Sequence, residues 1–472
     1  MTSSLVGVMV ALFYLLGLVS VVMALMSSRT SQGAVAWIIS LLTFPYVAVP
    51  AYWLFGRPRF YGYVSARGAR DSVLRQALSG YRAQIMPHLA KPGSTEIQAV
   101  EQLAMMPLTR GNQADLLIDG KATFSSLFAG LDSAQKYILV QFFIVRDDAL
   151  GQRLKKHLFK AVERGVQVHF LYDEIGSHAL SEAYLAELNA AGVSVSPFRS
   201  SRGLRHRFQI NFRNHRKVTV VDGQKGWVGG LNVGVEYLGQ SKRHGAWRDT
   251  HLALEGPSVL GLQEAFWEDW HWATGEVLEL DWQPCVAKTA DHPVVIVPSG
   301  PADQQDTASL LVQNLIYSAK ERLWLTSPYF VPDQGVQDAL RLAAMRGVDV
   351  RVMMPERPDH LLVYWSALAF LPDMLRGGVK IYRYLPGFLH QKVILIDSDA
   401  ASIGTVNLDN RSFRLNFEIT AFLPCTHFAA DVDAMLRRDF HQCREVSLDE
   451  LRGQPLWKKV ISRAAYLTSP IQ

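Results

Sequence analysis

The stretch NHRKVTVVDGQKGWVGGLNVG, residues 214–234, is answered further along the chain by LHQKVILIDSDAASIGTVNLD, residues 389–409. Each copy has the form His-x-Lys-x4-Asp followed by a Gly and an Asn. The first holds His215, Lys217, Asp222 and Asn232; the second holds His390, Lys392, Asp397 and Asn407. The offset is constant, since 390 − 215, 392 − 217, 397 − 222 and 407 − 232 all equal 175. Two matches in equal register, each on an apolar β-branched run, mark an internal duplication.

VTVVD and VILID predict a short buried strand in each copy. Residues i and i+2 of a strand face the same way, so the His and Lys of each copy project together. A cation beside an imidazole suits an anion with several oxygens. Lysine stabilises charge on phosphoryl oxygens, and histidine serves as nucleophile or proton carrier. A fold that joins the copies sets two His and two Lys around one phosphate. By the same strand parity Asp222 and Asp397 fall on the face opposite their His, which suits structural partners better than proton carriers. GGLNVG lacks the Lys-Ser/Thr of a nucleotide loop and reads as a tight turn beside the site.

The paired His-x-Lys-x4-Asp motifs resemble the phospholipase D superfamily, over both halves of the chain beyond its apolar start. WRDTHLALEGP, TSPYFVPD and GTVNLDNRSFRLNFEI are similar to bacterial cardiolipin synthases of the phospholipase D type. The first copy departs from the pattern. It reads GGLN where many members have Gly-Ser-x-Asn, so a hydroxyl near that turn is missing. The resemblance implies an α/β fold, a pseudo-twofold unit of two mixed-sheet halves, and a two-step displacement at phosphorus without metal or cofactor. By that analogy His215 is the nucleophile and His390 the general acid/base. Lys217, Lys392, Asn232 and Asn407 bind the non-bridging oxygens. Asp249 in WRDTH and Glu418 in NFEIT are the orienting carboxylates, with the pairing crossed: Asp249 to His390 and Glu418 to His215. The implied reaction joins two phosphatidylglycerols into cardiolipin and glycerol. Hydrolysis by a membrane-bound phospholipase D and phosphatidylserine synthesis use the same site and stay open. A non-catalytic lipid-binding scaffold predicts decay of one motif, and both are intact.

Composition agrees with a lipid partner. The formal charge of +5 and pI near 9.0 suit an anionic surface, lipid or nucleic acid; a membrane anchor disfavours the second. Cys285, Cys425 and Cys443 have no ligand spacing and read as reduced thiols. No Asp, Glu and His cluster has metal spacing. Residues 1–60 predict a transmembrane hairpin with helices over about 5–26 and 34–55, each long enough for a bilayer at roughly 33 Å. The start lacks the basic flank of a signal peptide, and a second apolar span follows at once. The loop holds Arg29, whereas Arg57, Arg59, Arg67 and Arg70 follow the second span. This bias predicts a multi-pass protein of a bacterial inner membrane with a cytoplasmic catalytic unit.

Residues 61–109 form a connector without a readable role. The first phospholipase D-like half covers 110–287 and the second 288–450. KYILVQFFIVRDD answers ERLWLTSPYFVPD, ERGVQVHFLYD answers MRGVDVRVMMP, and AGVSVSPF answers GGVKIYRY, with a helix through Leu154, Leu158 and Val162 after the first strand. Such alternation predicts a mixed sheet flanked by helices. Before its His the first half carries a basic insertion with Arg199, Arg202, Arg205, Arg207 and Arg213, suited to anionic headgroups. LVYWSALAFL, residues 362–371, fits either an acyl-chain entrance or core. The tail, 451–472, places Trp457, Val460, Ile461, Ala464 and Leu467 on one helical face, with Lys458, Lys459 and Arg463 elsewhere. That pattern fits an amphipathic helix on an anionic membrane surface, or a helix docked on the protein. The sequence carries no sign of oligomeric state.

Overall fold

The computed structural model describes residues 2–28, 30–56, 60, 63, 84–199, 211–241 and 245–472. Arg29, Arg57, Arg59, Arg67 and Arg70, most of the connector, and Arg202, Arg205 and Arg207 of the basic insertion lie outside the described residues.

The apolar start is a helical hairpin, but its second arm is broken. One helix covers Thr2–Ser27, and Gly7–Ser27 is long and apolar enough to cross a bilayer. Thr30 begins the second arm by accepting a hydrogen bond from the Gly33 N–H at 3.1 Å. That arm runs over Ser31–Thr43, stops at Phe44 and restarts as Pro45–Phe55. The sequence predicts a single helix there. Pro45 has no N–H to continue the ladder and serves instead at the first position of a new helix. The arms pack through Ala24, Leu41, Ala48, Val49 and Tyr52. They approach closely at Gly17, where a Cβ would stand 3.1 Å from the Leu41 carbonyl oxygen.

The rest is built on one continuous mixed sheet, sixteen-stranded among the described residues, with fifteen strands in one order and Arg213–Asn214 paired beside it to Asn416–Leu423. From one edge the order is Ser194–Phe198, Gln167–Asp173, Tyr137–Phe142, Val218–Val221, Lys225–Gly229, Thr250–Glu255 and Thr109–Ile118. It continues with His292–Ser299, Asn416–Leu423, Ala400–Gly404, Val393–Ile396, Arg322–Thr326, Asp349–Pro355, Lys380–Tyr384 and Cys443–Glu445. The second series repeats the first in reverse about the antiparallel pair of Thr109–Ile118 and His292–Ser299. In each half three parallel strands meet one antiparallel catalytic strand. Tyr137–Phe142 pairs parallel with Gln167–Asp173 and antiparallel with Val218–Val221. Arg322–Thr326 does the same with Asp349–Pro355 and Val393–Ile396. The parallel crossovers need covering helices. Asp148 caps Ala149–Glu163 by accepting from the Leu150 and Gly151 N–H groups, and Asp333 caps Gln334–Met345 by accepting from Val336. RDD and VPD are thus equivalent helix starts. Leu150, Leu154, Leu158 and Ala161 of the first helix and Val336, Ala339, Leu340 and Ala343 of the second face the sheet.

Asp222 and Asp397 end the two catalytic strands with left-handed backbones, at φ 55° and 49°. The Asp222 carboxylate accepts from the backbone N–H groups of Gln135, Lys136 and Tyr137 at 2.8–2.9 Å. Asp397 accepts from those of Lys320, Glu321 and Arg322 at 2.8–3.2 Å. Each carboxylate therefore fixes the start of the strand next to its own, through three backbone donors. Replacing either by Ala should cost about 1–3 kcal/mol or more from unsatisfied donors. Asn, which tolerates the left-handed conformation and can accept, should recover part of it. Chemical denaturation of the Ala and Asn variants checks this; equal stability of Asp397→Ala and the parent chain would remove the assignment.

Candidate active site

The histidines do not sit on their strands. Val218–Val221 and Val393–Ile396 begin after the lysines, so His215, Lys217, His390 and Lys392 occupy the lead-in to each strand. The reason is a pairing the sequence does not display. Arg213–Asn214 runs parallel to Asn416–Phe417, and Gly387–Leu389 runs parallel to Ala246–Arg248. Each lead-in is thereby stitched to the other half. The His215 N–H donates to the Phe417 carbonyl at 2.9 Å, and the His390 N–H to the Arg248 carbonyl at 2.8 Å. The residue after each acceptor is a carboxylate, Glu418 or Asp249.

Two His–carboxylate pairs result, each across the halves. His215 Nδ1 lies 2.8 and 3.0 Å from the two oxygens of Glu418. His390 Nδ1 lies 2.7 Å from Asp249 Oδ2. Both carboxylates are fully buried and both imidazoles nearly so. With Nδ1 engaged, Nε2 of each ring is left for a phosphate. Lys217 Nζ donates to the His215 carbonyl at 2.6 Å, and Lys392 Nζ donates to the His390 carbonyl. The charge of Lys392 is felt at His215 and that of Lys217 at His390, so the four groups form one electrostatic site.

Burial disfavours every cation here. It holds both imidazoles below their ordinary value, with the lysines adding to the effect and Glu418 and Asp249 opposing it. It lowers Lys217 to about 7, against the pull of Glu418, and Lys392 to about 8, against that of Asp249. Burial raises the two carboxylates, but His215 and Lys217 more than offset this at Glu418, and His390 and Lys392 at Asp249. An arriving phosphodiester anion would favour the charged form of both lysines against that burial.

The two asparagines differ. Asn232 Oδ1 accepts from the Ile144 N–H at 3.0 Å, and its amide donates to the Tyr237 hydroxyl at 3.0 Å. Asn407 Oδ1 is buried and has no hydrogen-bond partner among the described residues. Asn232 is thus largely committed to its own turn, whereas Asn407 is open to a ligand. The absent hydroxyl in GGLN also has a steric reason. A Cβ on Gly230 would stand 2.0 Å from Asp249 Oδ1. Its counterpart Thr405 has room, and its hydroxyl helps hold Glu418 below the usual carboxylate range.

Comparisons with known proteins show the family and the fold. The family model described as cardiolipin synthase, phospholipase D-like domain, matches residues 127–270 and 312–440. A phospholipase D-nuclease N-terminal model matches residues 12–57. The chain belongs to the cardiolipin synthase family. Among its relatives are cardiolipin synthase A of Pseudomonas putida, 46% identical and covering 98% of both chains, and that of Pseudomonas aeruginosa, 46% identical over 98% of this chain and 96% of the relative. Among solved structures, phosphatidylserine synthase of Haemophilus influenzae shares the fold, with a TM-score of 0.61 at 13% identity over 80% of this chain and all of that one. Polyphosphate kinase of Porphyromonas gingivalis reaches 0.50 at 11% identity, over 82% of this chain and 56% of that one.

In this cardiolipin synthase family member, sequence reasoning passed over the groups behind the histidines. Asp269 accepts from Gln141 and Asn214 at 2.7 Å and from Arg216 Nη1 at 3.0 Å. In the other half Asp439 accepts from Arg248 at 2.7 and 2.8 Å and from Gln391 at 3.0 Å. Arg216 and Gln391 are the middle residues of the two His-x-Lys motifs. The signal was present as Asp269 in EDWHW and Asp439 in RRDFH, each on the helix that follows its carboxylate strand. The Tyr329 hydroxyl donates to Asp359 at 2.6 Å, and Asp359 raises the pKa of Lys392; the first half has no equivalent of this pair in its sequence.

The carboxylates generate a pH prediction with a definite sign. Glu418 raises the pKa of His215, so Glu418→Gln should leave His215 neutral to lower pH and move the acid limb of kcat/KM downward. Asp249 raises the pKa of His390, so, if His390 is the acid as the family resemblance implies, Asp249→Asn should deprotonate it earlier and move the alkaline limb downward. Both should lower kcat, by up to ~10⁴-fold where the tautomer is lost. Rate profiles of the variants check this, and movement of either limb to higher pH would contradict it.

Proposed function

We propose that this chain joins two phosphatidylglycerols into cardiolipin and releases glycerol. The observation that carries the reading is the crossed pair of His–carboxylate contacts flanked by Lys217 and Lys392, in a chain 46% identical over nearly its whole length to proteins named cardiolipin synthase A. Such an arrangement can supply both a nucleophile and a proton carrier to one phosphate.

His215 Nε2 attacks phosphorus. The bond to the departing glycerol oxygen breaks, and His390 delivers its Nε2 proton to that oxygen. The product is a phosphatidyl-histidine and free glycerol. A hydroxyl of a second phosphatidylglycerol then gives its proton to neutral His390, its oxygen attacks phosphorus, and His215 leaves as cardiolipin forms. Lys217, Lys392 and the side-chain amide N–H of Asn407 hold the non-bridging oxygens. Loss of either lysine side chain should remove roughly 2.7–4 kcal/mol of transition-state stabilisation. Shielding the phosphatidyl-histidine from bulk water favours a lipid acceptor over hydrolysis.

The membrane placement belongs to the same reading. The hairpin holds a cytoplasmic catalytic unit against the inner membrane of a bacterial cell and concentrates lipid partners there. The tail helix Leu456–Tyr466 supports a second contact. It docks through Ser462 and Ala465, while Leu456, Trp457, Val460 and Leu467 stay more than half exposed beside Lys458, Lys459 and Arg463. Its neighbour, the helix Leu361–Arg376, exposes Leu361 and Leu362 at its start. The remainder, Ser366 to Leu371, is buried core and not an acyl entrance.

Labelled phosphatidylglycerol supplied to the full chain in nanodiscs should yield cardiolipin and glycerol in equal amounts. His215→Ala and His390→Ala should each abolish it, because the two act as one unit. Phosphatidic acid as the main product would make the protein a hydrolase. Near-normal turnover by either Ala variant would end the shared-site mechanism.

A further inference from the structure

The chain segment just beyond the hairpin returns to the catalytic unit at two described residues, and both are buried behind His215. Phe60 is fully buried, and its N–H donates to the Pro301 carbonyl at 3.1 Å. Its ring stacks on Phe212 at 5.1 Å and meets Trp272 at 5.0 Å and Phe417 at 5.9 Å. Tyr63 lies 4.7 Å from Phe417, ring to ring. Phe212 stands two residues before Asn214, and Phe417 immediately precedes Glu418. The pair therefore fills an aromatic pocket formed by the two strands that hold His215 to its carboxylate.

Tyr63 does more than fill space. Its hydroxyl donates to Asp269 Oδ1 at 2.9 Å. Asp269 is fully buried, and its other oxygen takes the side chains of Asn214 and Arg216, the residues on either side of His215. Arg216 Nε in turn donates to the Glu418 carbonyl at 3.0 Å. The equivalent carboxylate in the second half, Asp439, is held by Arg248 and Gln391, both from the catalytic unit itself. Among the described residues, only the centre behind His215 takes a donor from the segment next to the membrane anchor.

We propose that Tyr63 is a positioning residue for His215, so that full catalytic competence requires the segment after the hairpin to be seated in its pocket. The inference rests on the role given to His215 above. The hydroxyl fixes the Asp269 carboxylate, which fixes Asn214 and Arg216, and these set the direction of the imidazole between them. The tether is short. The last hairpin helix ends at Phe55, five residues before Phe60, which bounds the separation at about 18 Å. Seating the segment and holding the site near the bilayer are then one geometric event.

The test uses the full chain in nanodiscs and reads the single-turnover rate of phosphohistidine formation. Tyr63→Phe keeps the ring and removes the donor. It should slow that step by on the order of 10- to 100-fold, as expected for a slightly misdirected nucleophile, with KM for phosphatidylglycerol within about twofold of the parent, since no lipid contact is lost. A second measurement separates seating from anchoring. A protease site inserted between Gly56 and Phe60 frees the hairpin but leaves both aromatics on the catalytic unit; one inserted in 64–83 lets them depart with the hairpin. With detergent-dispersed lipid the first cut should keep turnover and the second should lose it. An unchanged phosphohistidine rate in Tyr63→Phe, or equal behaviour of the two cuts, overturns the proposal. A parent chain that forms no phosphohistidine at position 215 overturns the catalytic assignment as well, and is seen before any variant is made.

Discussion

Everything at the site depends on two short parallel pairings, Arg213–Asn214 on Asn416–Phe417 and Gly387–Leu389 on Ala246–Arg248. Each crosses from one half to the other just before a histidine. Without them each half would hold a His and a Lys with no buried carboxylate at hand. A neutral imidazole free to choose its tautomer is a poor nucleophile and an undirected acid. The crossing makes each half incomplete alone. That explains why the duplication is kept as one sheet, joined by Thr109–Ile118 and His292–Ser299, and not as two separable domains.

The cost of this arrangement is buried charge. Two lysines, two carboxylates and two imidazoles are all nearly removed from water, and charges in such a place persist only when paired and hydrogen-bonded. The molecule meets that requirement in layers. Glu418 and Asp249 face the rings; Arg216 and Arg248 stand behind them; Asp269 and Asp439 neutralise the arginines. Removing a member of an outer layer leaves an unpaired charge inside, so mutations well away from the phosphate should act on the histidines through it.

How far the sequence could be read follows from the range of each interaction. The duplicated motif and the strand and helix order within each half are local, so their signals lie within a few residues. The break at Pro45 was equally visible, but two apolar runs of spanning length outweighed it. The placement of His215 and His390 ahead of their strands was not visible, because it follows from pairing with residues some 200 and 140 positions away. The same holds for Asp269 and Asp439, which look like ordinary helix carboxylates until folding brings Asn214, Arg216, Arg248 and Gln391 onto them. Phe60 and Tyr63 gave no signal, since an aromatic pair in a polar connector has no period to reveal a pocket.

A duplicated site must also cease to be symmetric if one histidine is to attack while the other gives a proton. The divergence is concentrated around the rings. His215 faces both oxygens of Glu418, whereas His390 faces one oxygen of Asp249. Thr405 supports Glu418, while the matching position, Gly230, has no room for a side chain. Asp359, which accepts from the Tyr329 hydroxyl, raises the pKa of Lys392, whereas on the other side Asp173 raises that of Lys217. Asn407 is free where Asn232 is committed. Behind the first-half centre Asp269 takes the Tyr63 hydroxyl, and behind the second Asp439 takes Arg248 from the first half. On the proposed assignment, the nucleophile is the ring that faces both oxygens of its carboxylate, and the proton carrier is the ring that faces one and packs among Tyr237, Trp247 and Phe388. A nucleophile must keep one direction toward phosphorus, whereas a proton carrier must serve first a departing oxygen and then an arriving one.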